Sequence, residues 1–338
     1  MRTPKVTVCL PTFNKARYLP TAIESVLAQE FRDYELLIVD DASTDGTGEA
    51  VQSFHDSRIR YIRNPENLGL VENWNRCLAL ALAEYTIIFH DDDVMLPKLL
   101  RREVEVLESD PEVVLVHTAA QPIDSNGAVI CIPPPDEWPA LTSGLEFIIR
   151  NWGPKEAFVI MPSVMFRKSL ALKLGAFNTD MQYRVDADLW QRLAFEGKIA
   201  YVDEVLISNR IHSSQTTQRI QTNSLQMLDE RLKFAHATRK LVAAHGADLG
   251  RAIDRRTSRE LASDLPQMRR WNASIPDVLR YAWAAVRTHP QVLYCRRFLT
   301  YFPLAILPPS VIRWLKRTHV RWLSSRWAAA RKAHENRH

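Results

Sequence analysis

The chain has 338 residues, 46% of them hydrophobic and 25% charged, which suits one large domain or two and lies outside disordered, collagenous or fibrous compositions. It holds only 10 glycines, and no GxGxxG or GxxxxGKS/T run is present, so the common dinucleotide and P-loop signatures are missing. The net charge of +5 is uneven: ten Lys and Arg lie from Arg296 onward against one acid, Glu335, on a mildly acidic body, which is not the footprint of a nucleic-acid binder and fits a tail meeting an anionic surface.

Cys9, Cys77, Cys131 and Cys295 are far apart and form no CxxC, which excludes a disulfide scaffold or zinc ribbon and suits a reducing compartment. Met1–Lys5 leads straight into a strand-like run without a signal-peptide pattern. No apolar stretch reaches the roughly 18–20 residues that span a bilayer. A cytoplasmic location is expected, with a peripheral membrane position open.

Taken in chain order, Val6–Leu10 reads as a strand, and Ala16–Gln29 places Leu19, Ala22, Ile23, Val26 and Leu27 on one helical face. Glu35–Asp41 is an apolar strand ending in two carboxylates, followed by the turn Ser43–Gly46 and a short helix over Thr47–Phe54. Strand Ile59–Arg63 leads to the loop Asn64-Pro65-Glu66-Asn67-Leu68-Gly69. Helix Val71–Ala83, strand Tyr85–His90 ending in Asp91-Asp92-Asp93, helix Pro97–Glu108 and strand Val113–His117 follow. Apolar strands alternating with helices predict an α/β fold with a parallel sheet covered on both faces. Ligands bind such sheets at the carboxyl ends of the strands, which is where the acids fall. Asp124–Glu137 reads as a loop, and Gln121–Thr142 and Gly144–Pro162 as loop regions. Phe158–Arg167 is a strand candidate and Asp188–Phe195 a helix with Asp188 at its N-cap and Asp186 outside it. Lys198–Ile211 is extended, and the pattern turns helical from about Ser224. A boundary near 220 divides a domain 1–220 from a mainly helical region 221–338.

Three acidic clusters carry candidate chemistry. Asp91, Asp92 and Asp93 repel one another, and burying them unpaired is costly. Either a divalent cation neutralises them, with Mg²⁺ or Mn²⁺ suited to oxygen ligands, or they form a solvated capping turn. In Asp40-Asp41-Ala42-Ser43-Thr44-Asp45-Gly46, a carboxylate either accepts from a nucleobase imide or serves the turn. Asp186 is either a general base or half of a capping pair with Asp188. His212 is a metal or phosphate contact or a structural histidine.

The order Pro11-Thr12-Phe13-Asn14, Val39-Asp40-Asp41-Ala42-Ser43-Thr44-Asp45-Gly46, Asn67-Leu68-Gly69, His90-Asp91-Asp92-Asp93, Asp186-Ala187-Asp188-Leu189-Trp190 and Arg210-Ile211-His212 resembles the inverting family 2 glycosyltransferases of the GT-A fold. Phe166-Arg167 and Gly175-Ala176-Phe177-Asn178 extend the likeness. The resemblance implies a GT-A, Rossmann-like mixed sheet flanked by helices, with a C-terminal helical extension. It implies a nucleotide-diphosphate sugar donor, of UDP or dTDP type, an acceptor hydroxyl on a glycan or lipid-linked molecule, and Mn²⁺ or Mg²⁺. By position, Pro11, Thr12, Asn14 and Asn67 border the nucleotide, and Asp41 accepts from the base imide. Asp91 lies near the ribose, Asp92 binds the cation, Asp93 shapes the donor or acceptor side, and His212 approaches the metal. Asp186 takes the general-base position, which requires its pKa to rise by partial desolvation. His90 stands where the family often has an acid, and Val185 where a glutamate precedes the base. A non-catalytic nucleotide-sugar or glycan-binding subunit is the alternative. Val311–Trp327 interleaves Trp314, Trp322 and Trp327 with Arg and Lys, and reads either as an interfacial helix on an anionic membrane or as a helix packed on the body.

Overall fold

The computed structural model describes residues 3–131, 138–151, 159–213, 215, 224–243, 247–270 and 273–307. The basic segment Val311–Trp327 lies outside them. By contacts the chain divides into two compact units, residues 1–253 and 254–338.

The first unit is built on a nine-stranded mixed sheet. Its strands are β1 (Val6–Thr12), β2 (Tyr34–Asp40), β3 (Ile59–Arg63), β4 (Tyr85–Ile88), β5 (Val94–Met95), β6 (Val113–Ile123), β7 (Leu141–Ser143), β8 (Val164–Arg167) and β9 (Lys198–Arg210). The spatial order is β3-β2-β1-β4-β8-β6-β9-β5, with β7 also pairing β9. Helices α1 (Leu19–Leu27), α2 (Thr47–Gln52), α3 (Leu70–Leu80), α4 (Leu99–Ser109), α5 (Gly144–Asn151), α6 (Lys168–Lys173), α7 (Val185–Ala194) and α8 (Ser224–Ala243) belong to this unit.

Strands β1 and β2 are buried along their whole length, because helices cover both faces and the alternating side chains of each strand enter two cores. Val8, Leu10, Leu36 and Ile38 meet Leu19, Ile23 and Val26 of α1 on one face. Cys9, Leu37 and Val39 meet Trp74, Cys77 and Leu78 of α3 on the other. The cysteines among these are free thiols acting as small core residues.

The sheet is mixed, as the family resemblance implies, and not parallel throughout, as the strand–helix alternation alone suggests. β1 with β2, β1 with β4, β2 with β3 and β6 with β9 are parallel, but β8 runs antiparallel between β4 and β6. Buried at every residue but its last, Val164–Arg167 carries no sequence mark of its direction. The strand expected over Phe158–Arg167 is confined to Val164–Arg167, since Met161–Ser163 forms a 3-10 turn in which Pro162 has no N–H for a ladder; Phe158 lies outside the described residues. The stretch read as loop from Gly144 opens with a helix, α5. A Cβ at Gly144 would lie 1.4 Å from the Ala194 carbonyl oxygen, so this glycine sets the approach of α5 to the end of α7.

Glu103 of α4 is fully buried, and neither of its carboxylate oxygens makes a well-formed hydrogen bond among the described residues. Burial holds its pKa well above the ordinary value, with slight relief from the Met165 backbone. The folded protein therefore keeps the proton that the unfolded chain releases, so stability falls as pH rises above the unfolded value near 4.5. Glu103→Met should raise the melting temperature, and more at pH 8 than at pH 5. The expected gain at pH 8 is about 1–3 kcal/mol, read by denaturation at both pH values; equal gains at both would refute the titration argument.

The second unit holds the rest of α9 (Ala247–Arg270), together with α10 (Ile275–Thr288) and α11 (Arg296–Ile306). Ser274 and Asp277 form a reciprocal capping box at the start of α10, which satisfies two otherwise open N–H groups. None of the described helices is long and apolar enough to cross a membrane.

Candidate active site

The carboxyl ends of β1 and β2 are tied to one another by polar side chains. Asn14 adopts a left-handed backbone, φ 53°, which asparagine tolerates better than most residues. Its N–H donates to Ser43 Oγ at 2.9 Å, and its Oδ1 accepts from the Thr44 N–H at 2.8 Å. Asp40 is fully enclosed. It accepts from the Ser43 N–H at 2.8 Å, the Tyr61 hydroxyl at 2.6 Å and Arg63 Nη1 at 2.9 Å. Asp41 accepts from Asn64 Nδ2 at 2.7 Å and from the N–H groups of Leu68 and Gly69 at 2.8 and 2.9 Å. A carboxylate offers about four lone-pair sites, so three occupied sites leave one for a ligand. Asn67 Nδ2 donates to the Asp41 carbonyl at 3.1 Å. The loop after β3 is thus folded around Asp41.

The second group follows β4. Asp91, Asp92 and Asp93 are 8%, 7% and 0% exposed, which excludes the solvated-turn alternative. Asp92 Oδ2 lies 2.9 Å from Lys15 Nζ and 2.9 Å from His212 Nε2. Its backbone carbonyl accepts from Arg210 Nε at 2.7 Å. Burial opposes the Asp92 charge, but Lys15 and His90 outweigh it and hold its pKa below the ordinary carboxylate range. Asp91, pressed first by burial and then by the Asp92 charge, is pushed up to about 7. Lys15 Nζ is 3.9 Å from Asp91 Oδ1. Burial disfavours the ammonium, yet the Asp91 and Asp92 charges raise its pKa above the ordinary lysine value.

Asp93 is turned away from this group. It accepts from Asn209 Nδ2 at 3.0 Å and from the Arg210 N–H at 2.8 Å, and His90 Nδ1 lies 3.4 Å from it. It pins the acidic turn to β9. His90, which replaces an expected acid, also stacks on Trp74 with ring centroids 6.0 Å apart.

The third group begins α7. The expected helix start at Asp188 is corrected: α7 begins at Val185, after Arg184 in a left-handed conformation, φ 60°. Asp186 is therefore inside the first turn, and its Oδ1 accepts the Ala187 N–H at 2.8 Å. Asp188 caps nothing; it pairs with Arg192 at 2.8 Å, and Arg192 also donates to the carbonyls of Leu174 and Ala176. Burial pushes the Asp186 pKa up, against the Ala187 N–H and the His90 and Arg184 charges. Desolvation thus raises it without an acid at position 185, whose Val185 is 1% exposed.

Pro11, Thr12, Asn14, Asp41, Asn67, Asp91, Asp92 and Asp186 all line one cavity of about 930 Å³. Asp93 and His212 do not line it; they stand behind its wall, His212 against Asp92. Lys15, Phe13, Trp74 and Asn209 also line the cavity and were not singled out from sequence. Phe13 is 45% exposed, and its place in Pro-Thr-Phe-Asn was the available signal. Lys15, one residue further on, carries no motif mark.

The donor groups fit one hard divalent cation. His90, Asp92 and Asp93 offer atoms within 4.8 Å of one another, but the Asp93 carboxylate is committed to β9. Asp92 Oδ2 and His212 Nε2, 2.9 Å apart, are close enough that both could reach one ion. Carboxylate oxygens and an imidazole nitrogen thus stand together where a divalent cation could be held.

A model of the family described as Glycosyl transferase family 2 matches residues 7–175. The uncharacterized protein MT1568 of Mycobacterium tuberculosis is 30% identical over 239 residues, covering 67% of this chain and 73% of that one. The fold resembles S. aureus TarS 1–349 in complex with UDP-GlcNAc, with a TM-score of 0.65 at 16% identity over 89% of this chain and 90% of that one. The mannosyltransferase PcManGT from Pyrobaculum calidifontis, in complex with GDP-Man and Mn²⁺, gives a TM-score of 0.54 at 18% identity over 90% and 86%.

Proposed function

The chain belongs to glycosyl transferase family 2 and is a glycosyltransferase of the GT-A fold, and on that footing we propose that it transfers one sugar from a nucleotide-diphosphate donor to an acceptor hydroxyl with inversion at the anomeric carbon. The observation that carries this reading is the meeting of Asp41, Asp92 and Asp186 in one cavity of about 930 Å³. The proposed catalytic domain is residues 1–220; the mainly helical region 221–338 follows, and its first helix, α8, shares the compact unit 1–253 and a core with α7.

Asp41 keeps one acceptor site for the imide N–H of uracil or thymine, which favours a UDP or dTDP donor. Phe13 supplies an exposed aromatic face for the base. Asp91 stands toward the ribose. Asp92, with His212 behind it, would hold Mn²⁺ or Mg²⁺, which supplies charge neutralisation for the diphosphate leaving group. Asp186 takes the proton of the acceptor hydroxyl as that oxygen attacks the anomeric carbon. One displacement, with one base and no covalent sugar on the protein, inverts the configuration. A glycan or lipid-linked acceptor in bacterial cell-surface polysaccharide or glycolipid assembly fits the basic, tryptophan-bearing segment after Val311, which would meet an anionic membrane at its cytoplasmic face.

A panel of nucleotide sugars screened by thermal shift, with and without Mn²⁺, tests donor class and cation need together. At a hundredfold excess over Kd the matching donor adds about 2.7 kcal/mol, or about 5–10 °C for a unit of this size. A uridine or thymidine sugar should give that shift only with the cation. A guanosine sugar as the sole binder would overturn the base assignment, and equal shifts without cation would overturn the metal role.

Lys15 occupies the position against Asp92 that a cation would share. Lys15→Met should therefore tighten Mn²⁺ binding in the absence of nucleotide by about tenfold, a change of 1.4 kcal/mol, measured by electron paramagnetic resonance titration. Unchanged or weaker binding would show that Lys15 and the ion do not compete.

A further inference from the structure

The turn Gln182-Tyr183-Arg184 immediately precedes α7 and sets where Asp186 stands. It has no side-chain cap of its own, and Arg184 holds a left-handed backbone that a residue with a Cβ adopts only when its surroundings impose it. The imposing contact comes from α8, beyond the alternating strands and helices. Glu230 is 2% exposed, and one of its oxygens, Oε2, accepts both the Gln182 N–H at 2.6 Å and the Tyr183 N–H at 3.0 Å. Its other oxygen accepts from Lys233 Nζ at 2.9 Å. Four residues on, Phe234 is 1% exposed, and the Arg184 guanidinium lies over its ring, 5.3 Å from the centroid. Phe234, Ala235 and Val242 of α8 share a core with Val185, Leu189, Trp190 and Leu193 of α7. Two successive backbone donors on one buried acceptor, flanked by a ring under the next side chain, fix the turn in both position and register.

We propose that Glu230 is a positioning residue for Asp186: it clamps the turn that aims the carboxylate into the cavity, so that α8 is part of the transferase machinery. This rests on the assignment of Asp186 as general base. Misplacement of a reacting group by about 1 Å costs on the order of a hundredfold in rate, whereas among the described residues Glu230 bonds to Gln182, Tyr183 and Lys233 and to none of those proposed for the nucleotide. Its loss should therefore appear in kcat and leave donor binding unchanged.

The matched variants are Glu230→Met, which fills the same space without an acceptor, and Glu230→Gln, which keeps one. Gln182 is exposed and Tyr183 half-buried, so their N–H groups can turn to water in the methionine variant without unfolding the domain. In the glutamine variant the amide oxygen can face the turn, because Lys233 has Asp229 at 3.1 Å as another partner. In the full chain, hydrogen exchange at the Gln182 and Tyr183 amides should be protected in the parent and in Glu230→Gln, and at least tenfold faster in Glu230→Met. Turnover should fall by about 10–100-fold in Glu230→Met, with the donor Kd within twofold, and recover in Glu230→Gln. Unprotected amides in the parent, full turnover with the amides released, or parallel loss of turnover and donor affinity would each overturn the proposal. Asp186→Asn run beside them separates the two readings: if it stays active the base assignment fails, while the exchange measurement still reports whether Glu230 holds the turn.

Discussion

Asp186→Asn should reduce turnover by at least a thousandfold while donor nucleotide binds within about twofold of the parent. The substitution keeps the size of the side chain, and its amide oxygen can still accept the Ala187 N–H that Asp186 Oδ1 accepts at 2.8 Å; what it removes is the capacity to take a proton. General-base catalysis alone is worth about 10²–10⁴-fold, and an acceptor hydroxyl has no other carboxylate in reach within the first turn of α7, since Asp188 is paired with Arg192. The parent should show activity rising with pH through the raised Asp186 pKa, because the base acts only once deprotonated; the variant's residual rate should lose that limb. Calorimetry for the donor and a pH–rate series for both proteins decide it. A fall in donor affinity equal to the fall in rate would make Asp186 structural, and an unchanged acid limb would place the titrating base elsewhere.

The reach of the sequence can be judged from the same residues. The alternation of apolar strands and helices, with acids at strand ends, gave the α/β layering and the side of the sheet where the cavity opens, because burial on both faces demands continuous apolar runs and charge must stay near water or a partner. Asp41, Asp91 and Asp92 stand out for that reason, whereas Asp186, in the first turn of α7, stands out only by its acidic pair before a helix and by the family resemblance. Strand direction is not legible: Val164–Arg167 is as buried as its parallel neighbours, and nothing in its composition distinguishes an inserted antiparallel strand. The start of α7 is not legible because its N-cap, Arg184, takes a left-handed backbone and makes no side-chain cap hydrogen bond, so no local capping residue marks it. Asp93 and Asp92 are indistinguishable in the string, yet one is sealed against Arg210 and Asn209 and the other faces Lys15. Side-chain direction after a strand end depends on the turn, and a run of three identical residues carries no information about it.

Asp92→Ala should abolish the cation dependence of donor binding and leave the weak, cation-free affinity. Of the three consecutive acids, Asp92 alone both lines the cavity and touches His212, and Lys15 and His90 hold its pKa down against burial. Asp91, pushed up to about 7, is a poorer ligand until a cation restores its charge, so it cannot replace its neighbour. Loss of a principal ligand should weaken Mn²⁺ binding by about a hundredfold or more, near 2.7 kcal/mol, and the diphosphate then loses its counter-charge. The same substitution frees Lys15, whose remaining carboxylate partner, Asp91, is 3.9 Å away; the released ammonium retains part of the diphosphate attraction, which is why cation-free affinity should persist. Calorimetric titration of the donor nucleotide with and without Mn²⁺ should give a large difference for the parent and none for Asp92→Ala. If the variant binds the donor with undiminished, cation-dependent affinity, the ion is held by other groups and Asp92 serves only to seat Lys15 and His212.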